Sequence, residues 1–547
     1  MQLIECRNIK KYYGDKTILD IESLKIYDKD RIGIVGLNGA GKTTLIHILS
    51  GIDNEYDGWV NRKGSYSYIS QLDHESYDKI SLEIANKFGS SEVWKEHLSG
   101  GEKTRYKIAK CFTKESNIIF ADEPTSNLDV EGIELLENKL KGFRGALVII
   151  SHDRDFLDTL CNKIIELENG KLKIYNGNYA SYKQQKDMEK ERELFEYEQY
   201  EREKRRLYAA IEESKDKIKA IRKAPARMGN SEARLHKMGN QKAKANLDRA
   251  VGNIEARIEH LEEKKKPKEL QRIKLEIENS SKLYGKIIIS GRDVNKFFEN
   301  KIIFNAAEFD INNGSKTALI GPNGSGKTTL IKMIMSKDAV ITLSQGVKIG
   351  YFSQDMDNLN EELSILENVM KNSIYDETFA RILLARLLFK REEVYKKVSV
   401  LSGGEKVKAS LAMLLLSDVN LLILDEPTNY LDINSMEALE KALKDYDKTL
   451  LFVSHDRSFV RNIANYIIEI KEGGLTTFRG TYEEYMDKKS NKDASKDEIE
   501  KQILVLENRL SELISKLSMP GRNDIIEELD AEYYKVLGQL KKLKENL

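Results

Sequence analysis

The chain has 547 residues but only three cysteines, six prolines and two tryptophans. Cys6, Cys111 and Cys161 are odd in number, far apart, and form no CxxC pair. That argues against a disulfide framework or a cysteine-based zinc site and points to a reducing compartment. Net charge is missing too, since 89 basic residues balance 89 acidic ones. A partner must therefore be sought in local charge. No apolar run approaches the roughly 18 residues that argue for a bilayer span. The opening stretch, MQLIECRNIKKYYGDK, lacks the apolar segment of a secretory leader. A cytoplasmic location is the expectation.

What the chain does have is repetition. GLNGAGKTTLI at 36 returns as GPNGSGKTTLI at 321. YSYISQ, ending at Gln71, returns as IGYFSQ, ending at Gln354. LSGGEKTRYK at 98 returns as LSGGEKVKAS at 401. IIFADEPTSNLD matches LILDEPTNYLD, and VIISHDRDFL matches LFVSHDRSFV. Five phrases in one order mark a tandem duplication. Pro124, Pro322 and Pro427 lie inside the repeated phrases. Pro225, Pro267 and Pro520 fall outside them and punctuate helical stretches.

Between the copies, residues 185–266 are rich in Glu, Lys, Arg and Ala, as long helices are. Leu207, Ile211, Ile218 and Ile221 form one apolar stripe, with Ser214 filling a core slot. Leu247, Val251, Ile254, Ile258 and Leu261 form another. The two stripes predict an antiparallel coiled-coil pair. From Lys215 to Arg249 there are 11 Lys and Arg against 3 Asp and Glu. A charge run is most often a solvated helix face. At the tip of a projecting hairpin, among small residues, it favours contact with nucleic-acid phosphates. Arg222, Lys223, Arg227, Arg234, Lys237, Lys242 and Lys244 are the candidates. No aromatic array for base stacking accompanies them, so shape and charge should govern recognition. A second hairpin is expected at the C-terminus, with one seam of Ile499, Ile503, Leu506, Leu510, Leu513 and Leu517, another of Leu529, Tyr533, Val536, Leu540, Leu543 and Leu547, and SMPGRND as the turn between them.

The repeats carry the chemistry. Gly36, Gly39, Gly41, Lys42 and Thr43 fit the P-loop spacing, as do Gly321, Gly324, Gly326, Lys327 and Thr328. Asn38, Thr44, Asn323 and Thr329 complete the two loops. Each follows an apolar strand and opens a helical run, which is the context the motif requires. Glycines let backbone N–H groups wrap phosphates, the lysine reaches the outer phosphates, and the threonine ligates Mg²⁺. NIIFADE and NLLILDE read as buried strands ending in two carboxylates. Asp122 and Asp425 are the expected Mg²⁺ ligands. Glu123 and Glu426 would polarise an attacking water. His152 and His455 follow strands at matching places and are read as γ-phosphate sensors. Gln71 and Gln354 would touch metal and water. Tyr13 and Phe298 are candidate stacking surfaces for adenine.

This set of motifs resembles the ABC ATPase superfamily, in which LSGGE is the signature. The resemblance implies that two domains face head to tail and each signature closes over the other domain's ATP. Ser402, Gly403 and Gly404 would complete the site built on Lys42. Ser99, Gly100 and Gly101 would complete the site built on Lys327. One chain then holds both halves, so a monomer is expected.

Three classes of ABC protein compete. An exporter's ATPase needs room for a helical docking platform between the glutamine and the signature. That interval is 27 residues from Gln71 to Leu98, against 47 from Gln354 to Leu401. The first copy is too short for such a platform, so no membrane subunit is expected. DNA-repair members insert zinc modules or very long coiled coils within one ATPase domain, and neither is here. The whole chain is similar to the ABC-F family, and within it to the ribosome-protection branch that resists lincosamides, streptogramin A and pleuromutilins. That branch implies an ATP-dependent protein bound at the exit-tRNA site of the 70S ribosome. Its linker would contact large-subunit rRNA and P-site tRNA and displace antibiotics. A housekeeping translation or ribosome-assembly factor is the alternative. The expected architecture is α/β: ATPase domains at 1–184 and 287–488, a two-helix linker with a basic tip at 185–286, and a C-terminal hairpin at 489–547.

Overall fold

The computed structural model describes residues 1–70, 79–95, 98–220, 230–261, 263–264, 285–298, 301–353, 358–489, 503, 505–511, 513–514 and 526–545, with 230–243 described by their backbone. The first ATPase domain contains strands β1 (Gln2–Tyr13), β2 (Lys16–Tyr27), β3 (Arg31–Val35), β4 (Asp57–Arg62), β5 (Tyr66–Ile69), β6 (Ile118–Asp122), β7 (Ala146–Ile150), β8 (Lys163–Glu168) and β9 (Lys171–Asn176). Its helices are α1 (Lys42–Ser50), α2 (Leu82–Phe88), α3 (Gly100–Cys111), α4 (Val130–Gly142) and α5 (Arg154–Leu160). Helices α6 (Tyr179–Ala220) and α7 (Asn230–Glu259) follow.

The second domain repeats the plan with β10 (Ile287–Phe298), β11 (Lys301–Asn312), β12 (Lys316–Ile320), β13 (Ile341–Leu343), β14 (Ile349–Phe352), β15 (Leu421–Asp425), β16 (Thr449–Val453), β17 (Tyr466–Lys471) and β18 (Gly474–Arg479). Its helices include α8 (Lys327–Met335), α9 (Ile365–Lys371), α10 (Glu377–Arg386), α11 (Gly403–Leu416), α12 (Ile433–Asp445) and α13 (Arg457–Ile463).

Each domain is a six-stranded sheet beside a three-stranded antiparallel one. The large sheets run β5-β6-β7-β3-β8-β9 and β14-β15-β16-β12-β17-β18. All neighbours are parallel except the antiparallel edge pairs β8–β9 and β17–β18. The central strands IIFAD, ALVII, LLILD and TLLFV are buried along their whole length. Unbroken apolar runs are what a sheet covered on both faces needs. The sheet places the loop after β3, the end of β6 and the loop after β7 side by side at the carboxyl ends of the strands, where open α/β sheets bind ligands.

The segments between the sheet edge and the signature differ as their lengths imply. In the first domain the described part holds the seven-residue α2. In the second it holds α9, α10 and two single-turn 3₁₀ segments. Helices α6 and α7 run antiparallel, tied by Arg257 to Glu203 at 3.0 Å and by Lys264 near the base of α6 to Glu196 at 3.4 Å. Leu207, Ile211 and Val251 are buried in their seam. Ile221 lies outside the described residues. In the C-terminal hairpin, Ile503, Leu513, Val536 and Leu540 are buried, and Arg509 pairs with Glu532 at 2.8 Å. No helix among the described residues is long and apolar enough to cross a membrane.

Phe452 on β16 is fully buried and meets the ring of Phe459 edge-on at 5.5 Å. It joins the sheet to α13. Phe452→Ala leaves a cavity there and is expected to cost about 3–5 kcal/mol. Urea unfolding followed by circular dichroism reads that loss as a lower midpoint.

Candidate nucleotide sites at the domain interface

Each P-loop closes on a glycine. Gly41 caps α1 with φ +98°, and a Cβ there would lie 2.7 Å from Ile18 Cγ2. Gly326 caps α8 with φ +105°, and its Cβ would lie 2.4 Å from Ile303 Cγ2. Neither space nor backbone accepts a side chain. Ile18 and Ile303 belong to the hairpins that also carry Tyr13 and Phe298. Both aromatic rings are more than half exposed, as a stacking surface must be before a base covers it.

Lys42 Nζ donates to the carbonyls of Gly36 and Leu37 at 2.8 and 3.1 Å. Lys327 does the same to Gly321 and Pro322 at 2.9 and 3.0 Å. Burial lowers the affinity of both ammonium groups for their protons. Thr43 Oγ1 donates to Asp122 Oδ2 at 2.7 Å, and Thr328 bonds Asp425 likewise. A hydroxyl and a carboxylate side by side at the start of a P-loop helix are hard oxygen donors suited to Mg²⁺ held together with phosphates. Burial raises both aspartates, and the threonine hydroxyls oppose that shift.

Glu123 and Glu426 follow their strands with φ +49° and +51°. Left-handed backbone at a non-glycine residue costs of order 1–3 kcal/mol. Here it turns each carboxylate inward. His152 N donates to Glu123 at 3.3 Å and its Nε2 lies 3.4 Å from Glu123 Oε1, and His455 repeats both distances to Glu426. Oε1 of each glutamate is buried without a hydrogen-bond partner. Burial, then repulsion from Asp122, pushes Glu123 up to about 8. Burial pushes Glu426 up to about 7, with Lys327 opposing. Burial and the nearby lysines hold His152 and His455 down at about 4. Each site thus pairs a neutral imidazole with a carboxyl of raised basicity and an orphan acceptor, a fitting seat for a polarised water.

The signatures lie across the interface from the opposite P-loops. A Cβ on Gly101 would sit 3.1 Å from Asn323 Nδ2, and one on Gly404 3.5 Å from Asn38 Nδ2. Ser99 and Ser402 cap α3 and α11 in capping boxes with Glu102 and Glu405. Gly100 and Gly403 are the first residues of those helices.

Sequence reasoning missed the loops that complete this contact. Asn38 N donates to Asp432 Oδ2 at 3.2 Å and its amide to Tyr430 O at 2.9 Å. Asn323 mirrors this with Asp129 Oδ2 at 3.1 Å and Asn127 O at 2.9 Å. These residues sit in SNLD and NYLD, within the repeated phrases, so repetition flagged them although no chemistry had been attached. Gln71, Gln354, Arg222, Lys223 and Arg227 lie outside the described residues, as do the side chains of Arg234, Lys237 and Lys242. Lys244 is exposed on α7.

The chain has relatives among known proteins. A family model described as ABC transporter matches residues 19–126 and again 304–429, and a second model of the same description matches 165–250. The chain is 30% identical to the ribosome protection protein VmlR of Bacillus subtilis, over 99% of this chain and 98% of that protein. It is 32% identical to the erythromycin resistance ATP-binding protein MsrA of Staphylococcus epidermidis, over 84% and 96%. It is 30% identical to ABC transporter F family member 2 of Arabidopsis thaliana, over 91% and 80%. Its fold is similar to that of an archaeal ribosome recycling factor solved with a ribosomal stalk protein, with TM-score 0.59 at 18% identity over 89% of this chain and 92% of that one. The chain belongs to the ABC-F family.

Proposed function

We propose that this protein hydrolyses ATP at two composite sites and uses domain closure to act on the ribosome, protecting it from antibiotics that bind near the peptidyl-transferase centre. The observation that carries the reading is the crossed contact. Each P-loop asparagine reaches the opposite domain, while α6 and α7 stand between the two domains in sequence. Lys42 and Lys327 would hold the outer phosphates. Thr43 and Asp122, and Thr328 and Asp425, would hold Mg²⁺, which neutralises phosphate charge when bound. Glu123 and Glu426 would take the proton of the attacking water, and His152 and His455 would fix the γ-phosphate. Gln71 and Gln354 complete the proposed metal shells. Tyr13 and Phe298 would stack on adenine.

The linker tip, through Arg222, Lys223, Arg227, Arg234, Lys237, Lys242 and Lys244, would meet large-subunit rRNA beside the P-site tRNA. The protein would work in the cytoplasm as a monomer without a membrane subunit. Similarity to VmlR and MsrA, named for protection and resistance, supports this branch. Comparable identity to a plant ABC-F member supports the second reading, a housekeeping translation or ribosome-assembly factor. Inhibitory concentrations of lincosamide, streptogramin A, pleuromutilin, phenicol, oxazolidinone and macrolide, with and without expression of the chain, separate the two.

Glu123→Gln with Glu426→Gln should lower ATP turnover by at least about 10²-fold while ATP binding survives. Phosphate release and nucleotide titration measure the two separately, and an unchanged rate removes both glutamates from the proposed role. Ser402→Arg should impair the Lys42 site more than the Lys327 site. Nucleotide trapping at each site tests this, and equal loss at both contradicts the crossed assignment.

The linker separates protection from bare ATP turnover. Deleting residues 224–230 should abolish drug protection and leave basal ATPase activity in place. Neutralising Arg222, Lys223 and Arg227 together should weaken ribosome binding and flatten its log–log salt dependence by about 2 to 3 units. Full resistance in the deletion variant would favour the housekeeping reading.

A further inference from the structure

Beyond the two nucleotide sites, the interface holds a buried ionic cluster that crosses between domains twice. Helix α5 begins at Arg154, two residues after His152. Helix α13 begins at Arg457, two residues after His455. Arg154 reaches out of the first domain to Glu440 on α12 through both of its terminal nitrogens, one at 3.3 Å and the other shorter. Arg457 reaches out of the second domain to Glu137 on α4. All four side chains are at least 86% buried. A charge buried to that degree is costly unless it is paired, and removing one partner leaves the other stranded.

The partners of these arginines are not arbitrary. Helix α12 carries Asp432 as its cap, and Asp432 accepts the backbone N–H of Asn38 in the first P-loop. Glu440 lies eight residues further along the same helix. Helix α4 has the same plan, with Asp129 on the second P-loop and Glu137 eight residues on. Eight residues of helix span about 12 Å. One rigid rod from the opposite domain therefore touches a single nucleotide site at two points, its P-loop and the loop that carries its histidine.

The centre of the cluster brings the two sites together. Asp153 and Asp456 cap α5 and α13 through the N–H groups of Phe156 and Phe459 at 3.0 and 2.8 Å. Burial raises both, Asp153 adds to the rise at Asp456, and each is opposed by the arginine of the other domain. Around the rim, Arg461 pairs with Asp155 at 3.0 Å and Lys183 with Glu437 at 2.7 Å. Those pairs are more exposed.

We propose that Arg154 and Arg457 are positioning residues that tie the His152 and His455 loops to α12 and α4 of the opposite domain, and that these two ion pairs are what holds each histidine in its working place. The inference rests on the two-site ATPase reading above. The ion pairs of Arg154 and Arg457 both cross between domains. Opening the interface strands Arg154 and Glu440 apart and frees the histidine loop from its outside anchor, even with ATP still held by the P-loop. Binding and turnover are thereby separated.

The test uses the full chain and ATP with Mg²⁺. Steady-state turnover is measured for the wild type, Arg154→Gln, Glu440→Gln, the charge-exchanged Arg154→Glu/Glu440→Arg, and Lys183→Gln at the rim. Glu440→Gln keeps the side chain's size and guards against misfolding, which melting curves monitor. Each single change at the buried pair should lower kcat by about tenfold or more with KM for ATP moved less than about twofold. The exchanged pair should recover much of the lost kcat, and Lys183→Gln should stay near wild type. Wild-type kcat in Arg154→Gln and Glu440→Gln, failure of the exchange to restore turnover, or an equal loss in Lys183→Gln each overturns the assignment. Hydrogen exchange over residues 152–157 gives an independent readout. ATP should protect these amides in the wild type and protect them about tenfold less in Arg154→Gln; equal protection overturns the proposal. A wild type without ATP turnover would sink the ATPase reading, and the exchange data would still decide the role of the pair.

Discussion

One carboxylate per domain holds the interface in register. Asp432 accepts the N–H of Ser435 with one oxygen, starting α12, and the N–H of Asn38 with the other. Asp129 divides its oxygens in the same way between Gly132 and Asn323. A hydrogen bond to a charged acceptor contributes about 1.5–3 kcal/mol, but the larger consequence is geometric. The start of a helix in one domain and the phosphate loop of the other cannot move apart without leaving a carboxylate half satisfied. The signature glycines, the histidine loops and the ionic cluster all take their places from that tie. The two copies differ in how they back it. Burial works to raise Asp129, yet the Asn323 and Gly132 amides and the Arg105 guanidinium at 2.9 Å hold it below the usual carboxylate range. The residue matching Arg105 is Lys408, whose ammonium lies over the Phe389 ring at 4.6 Å.

The carboxylates proposed for catalysis sit at the opposite extreme from the stabilising ones. Glu123 and Glu426 combine unfavourable backbone, a largely buried side chain and an unpartnered oxygen. None of these features stabilises the fold. They persist because each turn leaves a five-residue buried strand and the glutamate's own amide donates to the neighbouring strand, Glu123 to Ile150 O and Glu426 to Val453 O. Strain concentrated where a water would be polarised, and surrounded by rigid sheet, is preorganisation rather than error.

The motifs were legible because phosphate chemistry constrains local sequence. A glycine that must be left-handed beside Ile18, a lysine one residue later and an acidic pair at a strand end leave spaced, recognisable traces. The strands were legible because burial on both faces demands unbroken apolar runs. Arg154, Glu440, Arg457 and Glu137 were not legible. Each is an ordinary charged residue on an amphipathic helix, and its partner lies about 300 residues away. Periodicity says which face of α12 is apolar. It does not say that Glu440 on that helix will be sealed against a guanidinium from another domain. Asn38 shows the same limit: the sequence marks it as part of the phosphate loop and does not say that its side-chain amide donates to Tyr430 across the interface.

Helix α6 runs 42 residues from Tyr179 to Ala220 without a glycine or proline. Its base is bolted to the first domain. Tyr179 and Tyr182 are buried, Tyr182 donates to Glu166 at 3.0 Å, and Lys186 pairs with the same carboxylate at 2.7 Å. Next to Tyr182, Lys183 grips Glu437 of the second domain. At 1.5 Å per residue such a helix is about 60 Å long. It behaves as a lever with its fulcrum at the ATPase interface. A tilt of about 5° at the base, too small to disturb the packing of either sheet, sweeps the far end through about 5 Å. A sub-ångström shift at the base of α6 would thereby be magnified into a displacement comparable with the size of a nucleotide base, with no hinge required along the way.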